Sequence, residues 1–313
     1  MTGDRPLVLV TGASGFIGRN VAPVLERGGW RVRRAVRQPM GHHDEVVIQS
    51  LGSSTDWQSA LSGADAVLHL AARVHQRNEG PKFDLYRDVN VDGTLHLARC
   101  AAEAGVRKFT FVSTILVHGR SNDGRAPFSE KDILTPRGSY GMSKAAAEAG
   151  LRELSLETGM QVTVIRPPLV YGAWAKGNFA FLKRAVRQRI PLPFAAIRNQ
   201  RAFLAVENLA SFILHRLTEE DQGFEVFLVA DQEQVSTPEF VERLANAAGL
   251  RPRLFPLPTP VLSGLLTIAG QPEAYESLIG SLKLDLSKAA STGWRAPVTL
   301  DEGLRRALAE PEM

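Results

Sequence analysis

The stretch Thr11-Gly12-Ala13-Ser14-Gly15-Phe16-Ile17-Gly18 limits what this chain can fold into more than any other. Before it lies Leu7-Val8-Leu9-Val10, a continuous apolar run of the kind found in strands buried on both faces. After it a helical pattern reaches about Arg27, Gly28-Gly29 stops it, and Arg31 to Val36 reads as a second strand. Strand, glycine turn, helix and strand within about 30 residues make a βαβ unit. The three glycines serve different ends, with a tight turn at Gly12, close backbone approach to a pyrophosphate at Gly15, and close helix–strand packing at Gly18. The helix start then offers unpaired N–H groups and a positive dipole end to phosphates. A glycine triplet alone also serves as a structural turn; the flanking strands and helix turn the reading toward a dinucleotide.

A second stretch, Tyr140-Gly141-Met142-Ser143-Lys144, lies in a segment expected to be helical from about Tyr140 to Glu157, with Ser139 at its start. At 3.6 residues per turn, the phenol and the amine leave the same face. A cation beside a phenol favours phenolate and draws its pKa down, which suits proton exchange with an alcohol. The same spacing also occurs by chance on solvated helix faces.

Composition narrows the class. Apolar residues form 44% and charged residues 22% of 313, ordinary for a soluble globular chain. The net charge of +4 comes without a long basic run, so a small anionic ligand is expected and a nucleic acid is not. Cys100 is the only cysteine, which excludes an intrachain disulfide and suits a reducing cytoplasm. The seven histidines show no metal-ligand spacing, so no metal site is expected. The apolar stretch from Val261 to Ala269 falls short of the ~20 residues of a membrane span, and the N-terminus lacks a signal-peptide layout. A soluble cytoplasmic protein without membrane or nucleic-acid partners is the expectation.

The G-x-x-G-x-x-G spacing, opening Thr-Gly-Ala-Ser-Gly-Phe-Ile-Gly, resembles the extended short-chain dehydrogenase/reductase family, and the resemblance runs along nearly the whole chain. It implies an α/β fold: a doubly wound (Rossmann), mainly parallel sheet with a second, smaller α/β substrate domain, and an active site in the cleft between them. The implied division is 1–170 plus about 206–234 for the dinucleotide, and about 171–205 plus 235–313 for a nucleotide sugar. Expected cofactor-binding residues are Gly12, Ser14, Gly15, Phe16, Ile17 and Gly18, then Arg37, Ser50, Leu51, Leu70, Ala71, Ala72, Tyr140, Lys144 and Pro167. Where NAD enzymes place an acid at the end of the second strand, this chain has Val36 and Arg37, with Arg33 and Arg34 nearby. Arg37 suits a 2′-phosphate, so NADP(H) is preferred and NAD(H) stays possible; a solvated basic strand end is the alternative. Ser50 stands where the family usually has an aspartate against adenine.

The remaining expected strands are Val46–Gln49, Ala66–Leu70, Lys108–Val112, Gln161–Arg166 and Phe224–Val229. Arg73 and His75 are substrate-side candidates at a strand's carboxyl end. Asn90, in a helix from Asp88 to Ala104, is implied to brace the site. In the family the catalytic hydroxyl lies four residues before the tyrosine of a Val-Tyr-Gly run; here His118 holds that tyrosine's place, making Thr114 the match and Ser113 its neighbour. Thr114, Tyr140 and Lys144 are therefore the expected catalytic set, with Thr114 binding the substrate's oxygen. Dehydratases of the family carry an Asp-Glu pair after this hydroxyl; Ile115 and Leu116 occupy those places and argue against dehydration.

On the substrate side, the resemblance assigns Asn178 and Arg201 to a diphosphate and Phe194 to base stacking, with Thr114 at the sugar. Arg201 opens a run that is similar to the Arg-x-aromatic…Val-x-Asp-Leu-Ala pattern of nucleotide-sugar enzymes. The second diphosphate arginine of relatives, near Ser281 to Asp285, has only Lys283 as a basic counterpart. Relatives pair the Tyr140 helix across a homodimer, so a homodimer is expected. The motifs look most like reductases of UDP-4-keto-6-deoxy-N-acetylhexosamines in surface-polysaccharide (lipopolysaccharide O-antigen) synthesis. A UDP-hexose 4-epimerase with tightly held NAD uses the same residues and is the alternative, and a non-catalytic dinucleotide sensor is a third reading.

Overall fold

A computed structural model describes residues 5–74, 83–220, 223–268 and 278–309. Nine strands occur among them: β1 (Leu7–Thr11), β2 (Arg31–Val36), β3 (Glu45–Val47), β4 (Ala66–His69), β5 (Lys108–Val112), β6 (Gln161–Arg166), β7 (Leu169–Tyr171), β8 (Phe203–Ala205) and β9 (Phe224–Leu228). The described helices that matter here are α1 (Phe16–Arg27), α2 (Gln58–Leu61), α3 (Phe83–Arg87), α4 (Gly93–Glu103), α5 (Gly138–Thr158), α6 (Asn178–Arg187), α7 (Val206–Thr218), α8 (Thr237–Ala247) and α9 (Thr259–Ile268). The chain divides into two compact units.

The first unit comprises Met1–His118, Ile133–Pro167 and Ala210–Leu228. Its sheet is parallel throughout, in the order β3-β2-β1-β4-β5-β6-β9. The order reverses direction beside β1, and open α/β sheets bind ligands at the carboxyl ends of strands around such a switch. β1 is buried along its whole length, as its unbroken apolar run requires. Leu9, Val67, Phe109, Val162 and Val164 of the sheet meet Leu97, Ala98 and Ala101 of α4 and Ala147, Leu151 and Leu154 of α5 in one core. This is the doubly wound sheet expected from the βαβ signal.

Two local departures concern function. The helix expected from Asp88 starts earlier, at Phe83, and between α3 and α4 it passes through a π turn, Asp88–Asp92. The Gly93 N–H reaches the Asp88 carbonyl, five residues back. Ser139 is not a cap: α5 begins at Gly138 after Arg137 in extended backbone, with no side-chain cap bond.

The second unit comprises Gly119–Asp132, Pro168–Leu209 and Val229–Met313. Gly119–Asp132, a polar stretch, belongs here because of specific pairing. The Asn122 amide donates to the Lys283 carbonyl at 2.7 Å and accepts its N–H at 3.0 Å, and Phe128 forms a bridge to Leu284. The segment Ser281–Asp285 makes such isolated bridges rather than a strand. β7 and β8 pair in parallel, and Tyr171 and Asp231 anchor the interior: the phenol donates to Asp231 Oδ2 at 2.7 Å, while Ala205 N–H and Asn208 Nδ2 donate to Oδ1 at 3.0 and 2.7 Å.

Candidate active site

The turn after β1 is built by its glycines. Gly12 has φ +70°, and a Cβ there would lie 2.7 Å from the Ala71 nitrogen beyond β4. A Cβ on Gly18 would lie 2.5 Å from the Gly12 carbonyl oxygen, so this glycine packs α1 onto the turn itself. Gly15 is exposed, its N–H closes the turn on the Gly12 carbonyl at 2.9 Å, and no side chain caps α1. A twelve-residue helix therefore starts with uncapped N–H groups next to exposed Ser14 and Gly15, while Phe16 and Ile17 are half-buried. These residues fit a pyrophosphate group.

Because the sheet is parallel, Gly12, Arg37, Leu70, Ala71, Ala72, Thr114 and Pro167 all follow strand carboxyl ends on one edge of the first unit. Of the arginines near β2, Arg33 pairs with Asp44 at 3.1 Å and donates to the Ala60 and Ser62 carbonyls at 3.0 and 2.7 Å. Arg34 is buried and pairs with Glu26 at 2.6 Å. Arg37 is exposed and has no ion pair among the described residues. Ser50 is exposed and Leu51 half-buried just beyond β3, and the Ser50 carbonyl accepts the Thr55 hydroxyl at 2.8 Å.

The strand β5 delivers two neighbouring hydroxyls with different surroundings. Ser113 donates to Glu148 Oε1, and Glu148 in turn grips Arg166, both carboxylate and guanidinium being at most 5% exposed. Arg166 Nη1 lies 2.9 Å from His118 Nε2, which must accept because a guanidinium only donates. Thr114 Oγ1 accepts the Leu116 N–H at 3.3 Å at the start of a 3₁₀ turn, Ile115–Val117, leaving its own proton available. A Cβ on Gly141 would lie 3.0 Å from the Leu116 carbonyl oxygen, so glycine here lets α5 approach that turn and places Tyr140 beside it.

Lys144 is 1% exposed, and its Nζ donates to the Val112 carbonyl at 2.8 Å. Burial holds its pKa at about 7, with the Glu148 carboxylate pulling the other way. Tyr140 is pushed up to about 12 by burial. This corrects the expectation that the neighbouring amine draws the phenol down: desolvation of the phenolate prevails.

A continuous polar path joins the glycine turn to α5. The Ala71 N–H donates to Thr11 Oγ1 at 3.3 Å, and Thr11 Oγ1 lies 2.7 Å from His69 Nδ1. His69 Nε2 lies 3.0 Å from Thr94 Oγ1, which donates to the Asn90 carbonyl at 2.8 Å. That direction assigns the His69 proton to Nε2. Asn90, in the π turn, accepts the Arg73 N–H at 2.7 Å and donates to the Arg73 carbonyl and to Ser143 Oγ, both at 3.0 Å. Ser143 then donates to the Tyr140 carbonyl at 2.8 Å. Asn90 thus holds the Arg73 backbone to the Tyr140 helix. His75 lies outside the described residues.

In the second unit Asn178 is exposed at the start of α6. Two expected substrate contacts look different. Phe194 is 4% exposed and packs as a core residue rather than offering a ring face. Arg201 is 9% exposed, donates to the Gly280 carbonyl, and is lowered by burial to about 10, so it stays cationic at neutral pH while already hydrogen-bonded. Sequence reasoning missed the Glu148–Arg166–His118 cluster and the His69 path; the four-residue spacing of Lys144 and Glu148 was the available signal for the first.

Fold and site together define a dinucleotide-dependent enzyme of the short-chain dehydrogenase/reductase type. The chain belongs to the NAD dependent epimerase/dehydratase family, whose sequence model matches residues 8–230. It is 37% identical to a protein described as UDP-glucose 4-epimerase from Vibrio cholerae, over 97% of this chain and 96% of that one. Among solved structures, UDP-N-acetylglucosamine 4-epimerase from Bacillus cereus superposes with a TM-score of 0.81 at 21% identity, over 97% of this chain and 98% of the other, a likeness of fold. MoeE5 in complex with UDP-glucose and NAD gives 0.77 at 27% identity, over 96% and 97%.

Proposed function

We propose that the chain is a UDP-sugar 4-epimerase that keeps NAD(H) bound. The likeness along almost the whole chain to a protein described as UDP-glucose 4-epimerase carries this reading. It reverses the order expected from sequence, where a 4-ketoreductase came first. When bound, the oxidised nicotinamide supplies a hydride acceptor at C4 of the sugar and a positive charge near the phenol. Tyr140 takes the proton of the 4-hydroxyl and returns it to the re-formed alcohol. Thr114 Oγ1 hydrogen-bonds the same oxygen, its other contact being the Leu116 N–H. Lys144 supplies a hydrogen-bonding amine on the same helix face. The uncapped start of α1 takes the pyrophosphate, and Asn178 and Arg201 take the sugar-nucleotide diphosphate.

One observation favours a second reading. Arg37 is an exposed guanidinium just after β2 with no ion pair among the described residues, which suits NADP(H) and net reduction of a UDP-4-keto-6-deoxy sugar. A cytoplasmic homodimer paired through α5 accompanies either reading. Purified protein is given UDP-glucose with no added cofactor, and separately NADPH with the 4-keto sugar. UDP-galactose formation supports the epimerase; stoichiometric NADPH oxidation without it overturns the epimerase in favour of the reductase; silence in both overturns catalysis on these sugars.

A further inference from the structure

The positive charge of this chain is unevenly placed. Between Glu157 and Glu207, and again between Glu242 and Glu273, the sequence has no Asp or Glu. The described parts of these two stretches meet in the second unit. Leu192 forms a bridge to Leu254, its N–H donates to the Arg253 carbonyl at 2.8 Å, and Phe255 N–H donates back at 3.0 Å. Arg253 Nη1 lies 3.2 Å from the Arg189 carbonyl. Arg189, Arg251 and Arg253 are exposed around this junction and make no ion pair among the described residues.

Large apolar side chains share the same surface. Ile190 is 43% and Phe255 42% exposed. Four residues beyond Phe255 the chain enters α9, with Val261 N–H on the Pro258 carbonyl at 2.9 Å. α9 holds no charged residue, and it exposes Val261 at 49% and Ile268 at 85%, two turns apart on one face. Two exposed apolar side chains on α9 thus follow closely in sequence on exposed arginines without ion pairs, and apolar contact combined with cationic charge is what binds anionic lipid surfaces.

Arg189 adds a separate mark. It ends α6 at φ +52°, where its N–H returns to the Val186 carbonyl at 3.0 Å and the Ile190 N–H to Ala185 at 2.9 Å. Helix ends of this shape usually carry glycine, because a side chain is strained there. At Arg189 this position carries a cation instead.

We propose that this face of the second unit docks on the surface of an anionic phospholipid bilayer, with Ile190, Phe255, Val261 and Ile268 against the acyl boundary and the three arginines among the headgroup phosphates. No described helix is long and apolar enough to cross the membrane, so the contact is peripheral. Such docking is independent of which sugar reaction is catalysed.

The full chain is sedimented with vesicles of phosphatidylcholine alone and of phosphatidylcholine mixed with phosphatidylglycerol. Binding is expected only to the mixed vesicles, weakening as salt rises. Arg189→Gly relieves the backbone strain, so it keeps the fold, and it should lower partition about fivefold; Arg253→Gln should do the same. Ile268→Ser should lower it at every salt concentration. Equal binding to both vesicle types, or variants that bind like the parent, would overturn the proposal. So would sedimentation velocity showing that this face is covered by a second copy, with Ile268→Ser dissociating the pair.

Discussion

The ammonium of Lys144 lies 4.1 Å from the ring centroid of Phe111. The imidazole of His69 is stacked on that ring, centroids 5.8 Å apart at 15°. Two basic side chains therefore share one aromatic ring inside the first unit, and neither holds its charge easily. Burial lowers both, Lys144 to about 7 and His69 to about 3, and the Lys144 charge adds to the effect on His69.

Lys144 should cost stability in the cofactor-free protein. Its folded pKa is depressed from 10.5 to about 7, so between these values the unfolded chain binds more protons and stability rises with pH. Lys144→Met should remove that slope and raise stability at pH 7 by about 2 kcal/mol, while turnover collapses. Urea unfolding from pH 7 to 10 reads the first, and the sugar assay reads the second.

His69 makes the opposite end of the pH range vulnerable. Its folded pKa of about 3 lies below the ordinary 6.5, so the contribution of neutral His69 is lost as pH falls through this window. Unfolding midpoints should drop between pH 6.5 and 5, before most carboxylates titrate. His69→Gln, which keeps one acceptor and one donor, should flatten that part of the curve.

Tyr140→Phe should lower turnover by about 10²–10⁴-fold with little change in unfolding midpoint, since only the phenolic proton is lost. In the cofactor-free protein the Tyr140 tyrosinate should form only near pH 12. Oxidised dinucleotide should bring that transition down, and ultraviolet difference titration of wild type against Tyr140→Phe isolates it.

The buried pair of Glu148 and Arg166 should behave as a unit. Glu148→Met leaves the guanidinium uncompensated and should cost about 3–5 kcal/mol. Glu148→Met combined with Arg166→Met should cost far less than the sum of the single changes. Chemical denaturation of the four proteins gives the cycle.

Arg37→Ala should weaken NADP+ binding about tenfold and leave NAD+ nearly unchanged if the exposed guanidinium meets a 2′-phosphate. Calorimetry with both dinucleotides checks this; equal affinities in the parent protein would remove the argument for the reductase.

Much of the fold was legible because β1, Gly12 and Gly18 speak through local rules: apolar continuity, a left-handed turn and a close contact that excludes Cβ. The limits of β2 and β6 match those read from the sequence. What escaped depends on partners far along the chain. Phe194 was assigned to base stacking by family resemblance, yet its burial is decided by the tertiary packing of the second unit. The membership of Gly119–Asp132 rests on Asn122 and Phe128 finding Lys283 and Leu284, which no local pattern announces. The direction of the Tyr140 shift was missed because spacing reports which charge is near and says nothing about how much water is excluded.

The π turn at Asp88–Asp92 has a geometric meaning of its own. Each residue advances an α-helix by about 100°, so α3 and α4 are two cylinders set out of phase. The offset lets one continuous rod serve two clients. Downstream, Leu97, Ala98 and Ala101 face the core; at the offset, Asn90 faces Ser143. Deleting one residue from this turn would give a straighter and better-bonded helix, but one of those two faces would then look the wrong way. Regularity is what this rod gives up in order to clock Asn90 against the helix that carries Tyr140.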